Sequence, residues 1–137
     1  MKIAICGSMS LSKEMLEAKS ELENLGHEVL VPVHSEKYAE LGSSDNESGE
    51  SAKNKIEQDL IRDYYNKIGE QDALLVVNEK LKEIENYIGG NAFLEIGFAH
   101  VLDKKIFLLN PIPEIGYKDE IVAMQPVILN GDLSKIN

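Results

Sequence analysis

The chain has 137 residues, of which 43% are hydrophobic, and a formal net charge of −10 at pH 7. This length and composition predict one globular domain, residues 1–137, with a single core rather than a disordered chain. The acidic balance, with no basic cluster along the sequence, argues against nucleic-acid polymers and anionic membranes as partners, although a pocket can still bind a small nucleoside or nucleotide.

Location is indicated by what the sequence lacks. No apolar run reaches the roughly 18 residues that a membrane span needs, and the first residues show no signal-peptide pattern. The single cysteine, Cys6, falls in an apolar strand pattern and cannot form an internal disulfide. We therefore expect a cytoplasmic protein.

The first third of the chain predicts a strand, a helix and a second strand. Residues 2–6, KIAIC, form a short apolar run typical of a buried strand. Residues 12–26 show helical periodicity, with Gly26 as the stop signal. The predicted buried face of this helix consists of Met15, Leu16, Lys19, Leu22 and Leu25. Residues 27–33, HEVLVPV, predict the second strand.

The middle of the chain predicts a lid, a helix and a third strand. Residues 34–51 are polar and end in LGSSDNESGES, which predicts a mobile lid because residues 42–52 offer almost nothing to bury. A second helix follows, since apolar residues recur there every four positions: Ile56, Leu60, Tyr64 and Ile68. Residues 72–78, DALLVVN, predict the third buried strand.

The last third completes an alternation of strands and helices. It predicts a helix over residues 91–103, a strand over 104–110, a short helix over 117–124 and a fifth strand at PVILN, residues 126–130. Continuous apolar strands alternating with helices are typical of a parallel sheet that helices cover on both faces. We therefore predict a single-domain α/β fold, a flavodoxin-like or Rossmann-like three-layer sandwich with a five-stranded, mostly parallel sheet.

The predicted fold places several chemically useful residues on one rim of the sheet, because ligands bind at the carboxyl ends of parallel strands. Gly7 and Ser8 follow the first strand. Gly89, Gly90 and Asn91 precede the third helix, where backbone amides can approach a ligand closely. These five residues are the predicted substrate-binding set on the rim.

Glu95 lies within a helix that is apolar nearly all the way round, in the sequence YIGGNAFLEIGFAHVL. No cation stands four residues before or after it. With Asn91 as the predicted N-cap, Glu95 would be about the fourth helical residue, in the first turn. The helix N-terminus favours an ionised carboxylate, whereas burial opposes ionisation. A solvent-facing Glu at the helix start is the simpler interpretation.

Three segments, in order along the chain, resemble the nucleoside 2-deoxyribosyltransferase family, which includes the related 2′-deoxynucleoside 5′-monophosphate N-glycosidases. They are KIAICGSMS at residues 2–10, QDALLVVN at 71–78 and GGNAFLEIGFAHVLDKKIFLL at 89–109. The resemblance implies that Glu95 attacks C1′ of deoxyribose and forms a covalent glycosyl-enzyme, which a second base or water resolves. It also implies a homodimer or larger homo-oligomer, with residues 123–133 near the interface.

Other family roles match this sequence less well. The family places an Asp eight residues before the Asp that begins the third strand, but counting back from Asp72 reaches Tyr64. Asp59 and Asp63 are the remaining candidates to protonate or bind the base. We prefer Asp59 for catalysis and assign Asp63 a binding role, although Asp63 also suits a solvated helix face. Asp72 itself suits a turn role at the strand start.

The features that would bind a 5′-phosphate are sparse. Gly89 stands where the glycosidase has a phosphate-contacting Ser, and Lys13 is the only cation in the first strand-to-helix turn. Ser8 can bind a phosphate or a sugar hydroxyl, but helix capping is its more common role. A nucleoside therefore fits this sequence somewhat better than a nucleotide.

Two alternatives remain open. A phosphoribohydrolase of the cytokinin-activating type also pairs a Gly-Gly turn with a downstream Glu, but its second Gly-rich motif is missing here. A non-catalytic nucleoside or nucleotide sensor on the same fold is favoured by the displaced helix-two Asp. The sequence shows no metal-ligand spacing and no dinucleotide or triphosphate motif, so we expect neither a metal nor a cofactor.

Overall fold

Short apolar runs form a five-stranded sheet in the computed structural model, which describes residues 1–32, 35 and 59–137. The strands are β1 (Lys2–Cys6), β2 (Glu28–Leu30), β3 (Ala73–Val76), β4 (Lys105–Leu108) and β5 (Val127–Ile128). The described helices are α1 (Ser12–Asn24), α2 (Leu60–Gly69), α3 (Gly90–Val101) and α4 (Lys118–Ala123). Two 3-10 turns, Met9–Leu11 and Leu133–Lys135, complete the described elements.

The sheet order is β2-β1-β3-β4-β5, and every neighbouring pair is parallel. This is the strand order of flavodoxin-like folds. β1 and β3 lie in the middle with most of their residues fully buried, which explains why their sequences are continuous apolar runs. The predicted α/β fold is confirmed.

Helices cover the two faces of the sheet and form a hydrophobic core on each. On one face α2 and α3 pack on the strands, and the fully buried side chains there include Ile68, Leu74, Ile96, Leu108 and Ile121. On the other face α1 and the C-terminal 3-10 turn pack, and the buried set includes Ile3, Ile5, Met15, Leu22 and Leu129. The alternation of side chains along each strand divides the apolar residues between the two cores.

Several predicted boundaries differ from the observed ones. α1 stops at Asn24, and Leu25 is 49% exposed instead of belonging to the buried face. Ala18 takes the core position, while Lys19 pairs with Glu23 on the surface. β2 is shorter than predicted, since it is an edge strand and Pro32 has no N–H for the sheet.

Some predictions fall on parts of the chain that are outside the described residues. The lid expected over residues 42–52 and the start of the second helix near Ile56 are among them. Across residues 1–32, 35 and 59–137, no helix combines the length and the apolar character that crossing a membrane requires.

Candidate active site

The sheet has a switch point between β1 and β3, where the strand order changes direction, and this point positions the candidate site. In open parallel sheets, ligands bind outside the carboxyl ends of the strands at such a point. Cys6 ends β1, Val76 ends β3, and the two residues are paired across the sheet. The residues that follow these two strands therefore form the floor of the candidate site.

Glu95 is held on α3 in an almost closed environment. It is 6% exposed, because α3 is apolar on nearly every side and packs against α2, β3 and β4. A carboxylate is rarely buried in a protein unless it is paired or has a function. The simpler interpretation, a solvent-facing Glu at the start of a helix, is therefore wrong.

The position of Glu95 along α3 differs from the sequence prediction. Gly89 is the N-cap and Gly90 is the first helical residue, so counting from Gly90 makes Asn91 the second residue and Glu95 the sixth. The predictions that Asn91 caps the helix and that Glu95 lies in its first turn are therefore wrong. Glycine is accepted at the N-cap, which allows α3 to begin earlier than a polar cap would indicate. Because the helix dipole acts mainly on the first turn, its support for a charge on Glu95 is weaker than expected.

Asn91 lies one turn before Glu95 and contacts it. The Asn91 Nδ2 atom donates to Glu95 Oε2 at 3.5 Å, which is long for a hydrogen bond. Asn91 is exposed whereas Glu95 is buried. The contact therefore links the solvent-facing rim to the buried carboxylate, and it places Asn91 where it can orient that carboxylate.

Two buried protonated groups lie close enough to Glu95 to feel its charge. Burial raises the pKa of the Cys6 thiol well above its ordinary value of 9.0, and the charge of Glu95 raises it further. Burial also raises the pKa of the Tyr64 phenol well above 10.0, again with a contribution from Glu95. Tyr64 Oη donates to the backbone oxygen of Ile5 in β1. We call Cys6, Tyr64, Asn91 and Glu95 the Glu95 cluster.

Cys6 and Tyr64 are the members of this cluster that sequence reasoning missed. For Tyr64 the signal was present, because it stands eight residues before Asp72, where the resembling family has its acid. The periodicity of the second helix assigned Tyr64 to the core instead, and the structure shows that it serves both as a core residue and as a neighbour of Glu95. Asp72 accepts a hydrogen bond from Lys2 N at 2.8 Å, at the opposite ends of the strands, in agreement with a turn role.

The residues after β1 are shaped by packing. Gly7 is buried, and a Cβ atom there would lie 2.9 Å from the backbone oxygen of Val77 and 3.3 Å from Met15 Sδ. Its lack of a side chain therefore allows β1, β3 and α1 to approach one another. Ser8 caps the following 3-10 turn, where its Oγ accepts from Ser10 N at 3.4 Å. The capping role anticipated for Ser8 is confirmed.

Gly89 and Gly90 differ in the space around them. A Cβ on Gly89 would come within 3.2 Å of the Tyr87 ring, whereas a Cβ on Gly90 would have nothing within 4 Å. Tyr87 thus occupies the space that Gly89 leaves, and Gly90 is open to a ligand. The first amides of a helix have no partner inside the helix, so those of Gly90 and Asn91 can donate to a bound oxygen.

Asp59 and Asp63 take part in surface ion pairs on α2. Asp59 pairs with Arg62, and Asp63 pairs with Lys67 at 2.9 Å. The two carboxylate side chains are 55% and 42% exposed. The structure therefore does not bring either acid into the buried Glu95 cluster.

A pair of asparagines joins the carboxyl ends of β3 and β4. Asn78 is fully buried, and its Nδ2 donates to the backbone oxygens of Asn110 and Pro111 at 2.9 and 3.1 Å. Asn110 returns two hydrogen bonds to Asn78, from N at 2.9 Å and from Nδ2 at 3.0 Å, and a third from Nδ2 to Glu79. The sequence gave no sign that these two asparagines pair. This network holds the β3–β4 side of the rim in place.

Within the described part of the chain, no three His, Cys, Asp or Glu side chains gather closely enough to hold a metal ion. No protein-family model, curated protein or solved structure matches this chain. A function for the protein is therefore inferred from the Glu95 cluster and from the motifs in its sequence.

Proposed function

We propose that this protein cleaves or transfers at the N-glycosidic bond of 2′-deoxynucleosides through a covalent deoxyribosyl–Glu95 intermediate. The observation that carries the proposal is a carboxylate, 6% exposed, held near the switch point of a parallel sheet. Its neighbours Cys6 and Tyr64 keep their protons at neutral pH. Glu95 is thus the group of the cluster suited to act as a nucleophile.

Two displacements at one carbon describe the reaction. A Glu95 carboxylate oxygen attacks C1′ of deoxyribose, and the C1′–N bond breaks with its electron pair moving to the base, which takes up a proton. Water, or a nitrogen of a second base, then attacks C1′ and releases the carboxylate. Each step inverts C1′, so the overall reaction retains configuration, as in retaining glycosidases.

A nucleoside suits the rim better than a nucleotide. Gly89 offers no hydroxyl for a 5′-phosphate, and the Tyr87 ring lies against it. The open space at Gly90 and the exposed amide of Asn91 suit the hydroxyl groups of a sugar. We include a homo-oligomer in the proposal, because the resemblance implies that a neighbouring subunit completes the site.

A non-catalytic nucleoside sensor is the second candidate, and the ion pairs of Asp59 and Asp63 favour it. Both acids face solvent beside their own cations, so the acid that would protonate the leaving base is not in the Glu95 cluster. A sensor would use the same rim and bind without turnover. A phosphoribohydrolase would instead release a base from a ribonucleoside monophosphate.

The test is release of free base from 2′-deoxynucleosides, measured by chromatography for the wild type, Glu95→Ala and Glu120→Ala. Glu120 is an exposed residue of α4 and serves as the matched control. We expect kcat to fall by about a thousandfold or more in Glu95→Ala, with a smaller change in KM, because a nucleophile acts mainly in the transition state. Glu120→Ala should retain wild-type activity.

A 2-fluoro-2-deoxyribosyl nucleoside provides a direct view of the intermediate, since fluorine slows hydrolysis of the glycosyl-enzyme. Mass spectrometry should show an adduct on the wild type and none on Glu95→Ala. Full activity of folded Glu95→Ala would exclude the nucleophile role. Saturable nucleoside binding by the wild type without base release would favour the sensor.

A further inference from the structure

A second concave region lies at the opposite end of the sheet from Glu95. It is a groove of about 500 Å³ at the amino ends of β4 and β5, between the end of α3 and the C-terminal 3-10 turn. This volume falls in the range of small-molecule sites in proteins. Because the groove and the Glu95 cluster lie at opposite strand ends, ligand binding here does not depend on glycosidic chemistry.

Positive charge is concentrated in this groove. Lys104, Lys105 and Lys135 line it together with His100, and Asp103 is the acidic side chain among its lining residues. The whole chain has a net charge of −10, so three lysines around one groove are a local reversal of sign. Lys135 is distant in sequence from the other two, which is why the sequence alone shows no basic cluster.

Among the residues that the structure describes, Lys104 and Lys105 lack the carboxylate partners that four other lysines have. Ion pairs in the described part of the chain involve Lys19, Lys67, Lys80 and Lys118. Lys105 Nζ donates instead to the main-chain oxygen of Asn137 at 3.3 Å, and both residues line the groove with Lys135. Lys104 and Lys105 therefore have no ion pair among the described residues. Lys135 lies near Asp132, whose pKa is lowered by hydrogen bonds from Ser134 and then by the Lys135 charge.

The carboxyl end of α3 should repel a bound anion less than an uncapped helix end would. A helix presents partial negative charge at its carboxyl end. Here the N–H of Asp103 donates to the oxygen of His100 at 3.1 Å, and that of Lys104 donates to the oxygen of Ala99 at 2.9 Å. These capping bonds occupy two of the last carbonyl groups of α3.

Apolar side chains complete the lining. Ile106 and Phe107 are buried residues of the groove lining. Val127 is exposed to solvent and Met124 is partly exposed. A pocket with an apolar wall and a few charged groups suits a ligand with both kinds of surface. Lysine ammonium groups are common partners of phosphate oxygens.

We propose that this groove binds a small organic phosphate, with its phosphate group between Lys104, Lys105 and Lys135 and its apolar part against Met124 and Val127. The negative charge of the phosphate complements the positive charge of the three lysines. The apolar part covers side chains that water contacts in the empty groove.

The test is an NMR titration of the ¹⁵N-labelled full chain with phenyl phosphate at low ionic strength, with benzyl alcohol as the uncharged comparison ligand. The variants are Lys104→Gln/Lys135→Gln and, as a control with the same change in net charge, Lys19→Gln/Lys80→Gln. Lys19 and Lys80 lie in ion pairs outside the groove. All four changes are at partly or fully exposed side chains, so the fold should be preserved.

We expect phenyl phosphate to shift the amide signals of residues 104–107 and 124–127 saturably. The groove variant should bind about tenfold more weakly, since each lost charged contact contributes on the order of a few-fold to affinity. The control variant should change by less than about twofold, and benzyl alcohol should not saturate.

Equal weakening in both double variants, or saturation without shifts in the groove, would overturn the proposal. The wild type alone provides a further check that needs no variant. Added salt should weaken binding of phenyl phosphate, because the lysines are exposed to screening. Affinity that is independent of salt would also count against the site.

Discussion

Gly7 lies where β1, β3 and α1 approach one another, so one added methyl group meets backbone that cannot move easily. A Cβ there would be 2.9 Å from the backbone oxygen of Val77, closer than ordinary contacts allow. Gly90, which is also a sequence-predicted binding residue, has open space around the same position. The two glycines therefore have different physical reasons for lacking a side chain.

We predict that Gly7→Ala lowers the free energy of unfolding by about 1–3 kcal/mol, the usual range for overpacking. Gly90→Ala should be neutral or stabilising by up to about 1 kcal/mol, because alanine favours a helix and meets no clash. Urea unfolding at neutral pH measures both variants. Equal stabilities for the two would show that the strands can separate to accept the methyl group.

Because the Cys6 thiol is buried, we expect the free energy of unfolding to fall in alkaline solution. The pKa of this thiol is raised well above 9.0 in the folded protein, by burial and then by Glu95, whereas the unfolded chain has an ordinary thiol. The folded state therefore holds the proton more tightly. The stabilisation that this proton provides is present below the unfolded pKa and is lost as pH rises above about 9.

We expect folded wild-type protein to lose about 1.4 kcal/mol between pH 8 and pH 10 through this thiol. Cys6→Ala should lack that part of the loss. The buried Tyr64 phenol should still lower the stability of both proteins near pH 10. Urea midpoints at the two pH values check the difference. If the two proteins lose equal stability, the thiol ionises as readily when folded as when unfolded.

At the scale of elements, α1 ends in a hydrogen-bonded turn that needs glycine. Gly26 has φ of +97°, and the N–H groups of Gly26 and His27 donate to the oxygens of Glu23 and Leu22 at 3.0 and 3.1 Å. This is a Schellman motif with glycine at the left-handed position. It turns the chain directly from α1 into β2.

Gly26→Ala should destabilise the fold by about 1–2 kcal/mol, the cost of a left-handed conformation for a residue with a Cβ. Gly116→Ala is the matched control, because Gly116 is exposed, has no positive φ and has open space around it. Thermal unfolding followed by circular dichroism compares the two. A melting temperature for Gly26→Ala equal to that of Gly116→Ala would contradict the requirement for glycine.

For the whole molecule, the exposed apolar residues of α2 and α3 bear on assembly. Leu94 and Val101 project from α3, and Ile61 and Tyr65 from α2, all with substantial exposure. α2 and α3 pack against each other, so these side chains belong to one side of the molecule. Among the described residues, this surface and the segment 123–133 are two candidate places for a second subunit to pack.

We predict that sedimentation velocity at micromolar concentration shows a dimer or larger assembly. Leu94→Lys should weaken it if α3 is in the interface, whereas Leu25→Lys, the same change at a similarly exposed leucine of the α1 end, should not. The two leucines are 46% and 49% exposed. A monomer in the wild type would exclude a site shared between subunits.

Local sequence signals predicted the elements because each signal acts within a few residues. Lys2–Cys6 is a strand as predicted, and Gly26 ends α1 close to the expected place. The alternation of apolar strands with helices was sufficient to predict a parallel sheet, since only burial on both faces explains such strands. The apolar residues around Glu95 raised the question of its burial, but only the structure showed that it is buried rather than facing solvent.

Tertiary structure alone decided which side chains meet. Tyr64 lies near enough to Glu95 for that charge to raise the pKa of its phenol further, and Asn78 pairs with Asn110, because the order β2-β1-β3-β4-β5 brings distant segments together. The same folding leaves Asp59 and Asp63 in surface ion pairs. Sequence determined the elements through short-range periodicity and turn chemistry, whereas the contacts of the candidate site depend on packing between elements, which periodicity does not specify.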